Sequence, residues 1–249
     1  MNNQKIIPYS VPEQLKKYEE SLRKTIVISN EITFRAGQTL PWESKLGGCP
    51  YLESKEDYPL TDDGTPMMFI AQINLADVYG IDELPKKGLL QFYVEDDEMY
   101  GLEGTIVVRY IESYIEDESK VLNKIPYKFN KDFAPYSKEG KMFFEAKESV
   151  MSNSIEEYTS LFGGLVASED EESMFDETYA SGSRIGGYPY FVQSDIGFER
   201  DNHLLLLQLD IDDECGIMFG DSGNCNFFIE KEDLEKRDFS KVWYDWQCC

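Results

Sequence analysis

The chain has 249 residues, with 48 Asp and Glu against 24 Lys and Arg and a formal net charge of −24. Such a surface repels phosphate backbones and anionic bilayers, which argues against nucleic-acid and membrane partners. Hydrophobic residues make up 41% of the chain, enough apolar surface to exclude global disorder.

The first predicted element is a helix over residues 10–24. Ser10 and Glu13 have capping-box spacing, Pro12 is tolerated in the first turn, and Leu15, Tyr18 and Leu22 share one face. Its narrow apolar stripe has to dock, and the expected platform is the first β-rich half of the chain. Short β-branched runs follow at Thr25–Ile28 and Ile32–Phe34. Met68–Asn74 is apolar on both parities and reads as a strand covered on both faces. Strands are also expected at Leu89–Val94 and Thr105–Tyr110.

An octapeptide then organises the reading. Ser44-Lys45-Leu46-Gly47-Gly48-Cys49-Pro50-Tyr51 returns as Ser183-Arg184-Ile185-Gly186-Gly187-Tyr188-Pro189-Tyr190, with five identical positions. Leu205–Asp210 matches Phe69–Asn74, and Gly223–Ile229 matches Gly88–Val94, in the same order and at nearly constant spacing. Val242–Trp246 takes the place of the Ile106–Tyr110 strand on position and strand character. The expected layout is one domain over 1–249. Within it lie the helix at 10–24, a first repeat at 25–112, a connector at 113–180 and a second repeat at 181–249. The connector reads as loop-like with short strands from Asn123 to Lys141, and as helical near 154–162 and 168–179. No flexible linker separates the repeats, so they are expected to fuse into a pseudo-twofold unit of mixed or antiparallel sheets.

Several stretches together resemble the YwqG-like family, a bacterial domain of unknown function. They are Gly186–Pro189 with Val192-Gln193, Leu206–Asp210, Phe219–Gly223 with Phe227–Ile229, Arg237–Ser240 with Gln247-Cys248, and in the first half Ser44–Gly48 and Phe69–Asn74. The resemblance implies an α+β, mainly β, internally duplicated domain. It carries over no catalytic residues. Relatives often have His at the position of Ser183 and Trp at that of Phe219. Some relatives resemble immunity or antitoxin components in their gene surroundings.

Candidate sites are few. Asp210, Asp212 and Glu214 have the spacing of the first ligands of a calcium loop, with Asp221 at the twelfth position. Cys215 stands where that loop needs Gly, and the run follows a strand, so metal binding is not favoured. Gly220–Gly223 has the residues of a ligand-cradling loop, but a hairpin turn feeding the strand that starts at Asn224 is the favoured reading. His203 is the sole histidine, and there is no Cys-x-x-Cys pair for zinc. The aromatics Trp42, Trp243, Tyr244 and Trp246 suit either a groove or the core. Five cysteines without a disulfide framework, a polar start to the sequence and no long apolar run give the expectation of a soluble cytoplasmic protein.

No catalytic set or cofactor motif emerges, so the first expectation is a non-enzymatic acidic interaction module, immunity- or antitoxin-like, with a basic protein partner. The alternative is a small-ligand binder or hydrolase with a cleft at the pseudo-twofold junction. There Gly47, Gly48, Gln72, Gly186, Gly187, Gln208 and Asp221 would converge.

Overall fold

The structure is a computed structural model and describes residues 5–152, 158 and 180–249. The helices expected at 154–162 and 168–179 lie outside the described residues. The rest is α+β and mainly β: ten strands form one antiparallel sheet with a few short helices. The strands are β1 (Val27–Ala36), β2 (Lys45–Leu46), β3 (Met68–Asn74), β4 (Leu89–Val94), β5 (Ile106–Ile111), β6 (Gly140–Ser149), β7 (Arg184–Gly186), β8 (His203–Leu209), β9 (Asn224–Glu230) and β10 (Trp243–Gln247). Their order across the sheet is β10-β9-β8-β7-β1-β6-β2-β3-β4-β5.

That order is symmetric about its centre. β2-β3-β4-β5 runs outward on one side and β7-β8-β9-β10 on the other. The two central strands are exchanged: β1 pairs with β7, and β6 pairs with β2. The matching extends to single bonds. The Ile32 N–H donates to Ser183 O at 2.8 Å, and the Met142 N–H donates to Ser44 O at 3.0 Å. Both relations share a centre at the β1–β6 pair Thr33–Phe143. The β3–β4 register slips between Phe69 and Ala71, and the β8–β9 register slips between Leu205 and Leu207. A bulge increases local twist, and here each one falls on a wing that bends toward the other.

The wings meet over a shared core. Phe92 of β4 packs edge-on against Phe227 of β9, ring centroids 5.0 Å apart. Ile70, Ile73, Leu206 and Leu209 fill the same interior. At the rim the Trp246 Nε1–H donates to Met99 O at 2.7 Å, and Tyr110 lies against Phe239. Alternation explains the two-sided burial of β4: Leu90, Phe92 and Val94 face this core, whereas Tyr93 faces a second cluster with Tyr58 and Phe69.

Three expectations are corrected. The segment read as loop-like up to Lys141 leads into β6, ten residues pairing along the whole of β1. Its inward set is Met142, Phe144 and Ala146; Lys141, Phe143, Glu145 and Lys147 alternate outward. Glu, Lys and Ala are poor strand formers, which hid the alternation. The N-terminal helix is a 3₁₀ turn (Glu13–Tyr18) leading into a short α-helix (Glu19–Arg23), and Pro12 sits at its cap without a side-chain bond. Leu15 and Leu22 pack with Tyr188, Leu205 and Phe228, on the wing of β8 and β9. It docks there because β1, which follows it, crosses to β7. The two short strands expected at 25–34 are the single strand β1.

Candidate functional site

Each wing begins with a Gly-Gly turn held by the same side chains. In the first copy the Ser44 hydroxyl donates to Asp77 Oδ2 at 2.6 Å and accepts from the Asn74 N–H at 2.8 Å. In the second the Ser183 hydroxyl accepts from the Asp210 N–H at 3.0 Å. Gln72 is fully buried: its Oε1 accepts from the Tyr51 N–H and from Gln91 Nε2, both at 2.9 Å, and its Nε2 donates to Pro41 O and Glu43 O. Gln208 repeats this with the Tyr190 N–H, Ala180 O and Gly182 O. Burial obliges a primary amide to find partners, and both glutamines find them in the loops flanking their own octapeptide.

The glycines are required by geometry. Gly47 and Gly48 have φ +59° and +70°, and Gly186 and Gly187 have +67° and +72°. Two successive residues in the left-handed region are strained for most residues that carry a Cβ and free of that strain for glycine. The second glycine of each pair also abuts a neighbour: a Cβ on Gly48 would meet the Glu139 carboxyl, and one on Gly187 would meet Ser29. The two turns do not face one another. β2 and β7 are separated by two strands and run in opposite directions, with Leu46 opposite Gly140 at one end and Gly186 opposite Ser29 at the other. From strand spacing and rise the turns lie on the order of 25 Å apart, so the seven residues expected to converge are split between two ends of the sheet.

Each turn instead fronts its own hollow. Beside Gly48 and Cys49 lies a cavity of about 970 Å³, walled by Phe69, Tyr127, Phe129 and Tyr136, with Lys124, Lys128 and Lys138 also lining it. Beside Gly187 the hollow is about 310 Å³. There Tyr188 replaces Cys49; its fully buried ring takes up the space, and its hydroxyl donates to Thr25 O at 2.6 Å. In the larger cavity the Tyr136 hydroxyl donates to Phe69 O at 2.9 Å, which fixes the wall. Next to it Lys45 is fully buried and donates to Leu40 O and Cys49 O. Burial draws its ammonium down to about 8, against the pull of Glu139, Cys49 and Glu43. Burial likewise pushes the Cys49 thiol up to about 11.

The remaining candidates are spread apart. Asp210 accepts from the Gly182 and Ile211 N–H groups, Asp212 from the Cys215 N–H and Glu214 from the Ala36 N–H. Among the described residues no group of three or more His, Cys, Asp or Glu could hold a metal. Asp221 is exposed on a turn closed by the Phe219–Gly223 bridge, with Ser222 at φ +69°. His203 Nδ1 accepts from the Glu199 N–H at 3.0 Å and its ring lies against Trp243. Sequence reasoning missed the cavity wall. Its signal was the alternation Lys124-Ile125-Pro126-Tyr127-Lys128-Phe129, aromatic and basic residues interleaved in an acidic chain.

The geometry defines a class: a curled ten-stranded antiparallel sheet built from two matched wings, with a hollow at each Gly-Gly turn. The chain belongs to the DUF1963 family, a domain of unknown function, whose model matches residues 44–248. No curated protein matches it. The matched segment starts at Ser44, the first residue of the octapeptide, and leaves out β1 at the centre of the sheet. Among the described residues no helix is long and apolar enough to cross a membrane.

Proposed function

We propose that the chain binds a small amphipathic anion, non-covalently, in the cavity beside Gly48. One observation carries this reading: about 970 Å³ of space with an aromatic wall and lysines along it, in a chain with twice as many carboxylates as cations. Ligand sites are typically concave and largely apolar, with a few polar groups that fix orientation. Lys124 and Lys128 are exposed and form no ion pair with a described residue. Lys138 has its ammonium near Glu214 O. A flat aromatic body would stack along Tyr127 and Phe129, with its acid group toward the lysines. The thiol of Cys49, held protonated by burial, favours binding over covalent chemistry. The test is fluorescence titration with an anilinonaphthalene sulfonate and with aryl carboxylates. Saturable binding is expected, lost in Ala134→Trp, which fills the cavity, and weakened in Lys124→Glu/Lys128→Glu. Binding unchanged by Ala134→Trp overturns the reading.

A second reading, an acidic module that engages a basic protein as immunity proteins do, is favoured by the charge of −24. It requires capture of a basic partner that weakens steeply with salt. The matched turns, bulges and glutamine bonds further support descent of the two wings from one duplicated unit. The motif resemblance supports placement among the YwqG-like bacterial proteins. The unpaired state of all five cysteines fits a reducing cytoplasm.

A further inference from the structure

The two copies differ in how they treat one buried cation. In the first copy Lys45 lies within the field of Glu139, the residue against which Gly48 packs. Glu139 is itself held by the Thr39 N–H and hydroxyl, at 2.9 and 2.6 Å. The matching cation in the second copy is Arg184, and the residue matching Glu139, packed against Gly187, is Ser29. The carboxylate at the position of Glu139 is therefore missing, and the carboxylates that act on Arg184 are those of Glu31 and Asp210. Arg184 is 4% exposed and Ser29 is 1% exposed. Among the described residues the Arg184 Nε–H and the Ser29 hydroxyl have no hydrogen-bond partner. Among the described residues Arg184 bonds only Ser181 O, through one terminal nitrogen. Both side chains line a pocket of about 230 Å³, which Pro8 and Tyr9 also line.

Glu31, Lys147 and Glu148 also line this pocket, and each is engaged elsewhere. Lys147 pairs with Glu31 at 2.6 Å and Glu145 at 3.0 Å, Glu148 accepts from the Tyr9 N–H, and Asp210 accepts from two backbone N–H groups. A buried guanidinium with a spare N–H is costly unless something accepts from it. The volume corresponds to about seven waters, and the pocket sits at the end of the sheet remote from the cavity beside Gly48.

We infer that this pocket is a separate oxyanion site, in which a small carboxylate or phosphate accepts from the Arg184 Nε–H and the Ser29 hydroxyl in the place that Glu139 fills in the first copy. Planar guanidinium groups recognise both anions through the same fork of donors. The proposal does not depend on the larger cavity, and Ala134→Trp is expected to leave it intact.

The experiment titrates the whole chain with acetate, succinate or inorganic phosphate at constant ionic strength. It follows the Arg184 Nε–H proton resonance and the melting temperature. Saturable movement of that resonance together with a rise in melting temperature is expected, and the anion giving the tighter response identifies the source. Ser29→Glu installs the carboxylate of the first copy; it is expected to abolish the anion response while melting no lower than the anion-free parent. Arg184→Lys is expected to weaken binding by about tenfold or more, because the fork is lost. If the resonance stays fixed with every anion, only water fills the pocket and the proposal is overturned. A response that persists in Ser29→Glu also overturns it. Both readouts survive a failure of Arg184→Lys to fold.

Discussion

Replacing Gln72 by Leu asks whether this glutamine is a ligand group or a pin. Leucine keeps the volume and removes four hydrogen bonds, to the Tyr51 N–H, Gln91 Nε2, Pro41 O and Glu43 O. Gln208→Leu removes three, to the Tyr190 N–H, Ala180 O and Gly182 O. At about 1 kcal/mol for each net bond, and more where a buried partner is left bare, Gln72→Leu is expected to cost about 4 kcal/mol and Gln208→Leu about 3 kcal/mol. β3 and β8 are five strand steps apart, so the double variant should show the sum to within about 0.5 kcal/mol. Urea unfolding followed by tryptophan fluorescence measures all three, and an unchanged m-value is required for the comparison. A loss below about 1 kcal/mol in either single variant refutes the pinning argument. It would mean that the loops are held by other contacts and that the amides are free for another role.

Other outcomes follow from the same geometry. Gly187→Ala places a Cβ 2.7 Å from that of Ser29 at φ +72°; a loss of about 2 kcal/mol or more is expected in urea unfolding. Lys45 is lowered to about 8 in the fold from an ordinary 10.5, so the unfolded chain binds more protons between those values and stability rises with pH there. The stability of the parent relative to Lys45→Met should therefore grow by about 1 kcal/mol between pH 8 and 9, and a flat difference refutes the burial of the ammonium. Removal of residues 1–43 leaves the whole family-matched segment but takes away β1 and with it the partners of β6 and β7. Loss of cooperative thermal unfolding is expected. In the native chain a thiol reagent at neutral pH should label the exposed Cys249 first and spare the buried Cys215 and Cys225.

Much of the sheet was legible because its outer strands carry strong local signals. Met68–Asn74 and Leu89–Val94 are apolar on both parities, and both are covered on two faces as that pattern requires. β6 was not legible, since its outward face is mostly charged and it is completed by pairing with a strand more than a hundred residues away. The site was legible only in its frame. Repeated Gly-Gly pairs announce two equivalent turns, but whether they face one cleft depends on strand direction, which is a property of the whole sheet. The glutamines looked functional because a buried amide needs partners. Nothing local says that those partners are mostly the backbone of the loops around their own octapeptide, with Gln91 of β4 added for Gln72.

The exchange of central strands links these points. If β1 had paired with β2, each wing would form a separate five-stranded sheet with exposed edges at its own centre. By crossing, β1 and β6 join the wings through a ten-residue ladder and carry each half's cavity-lining residues to the other half's turn. Ser29 and Ile28 thus front Gly187, while Glu139 and Lys138 front Gly48. Each hollow is therefore composite, built from both copies, and a change in β1 alters the chemistry at the second turn. A substitution at residue 29 or 139 accordingly retunes one end of the sheet while leaving the octapeptides unchanged. That is a route by which two equivalent turns can acquire different ligands.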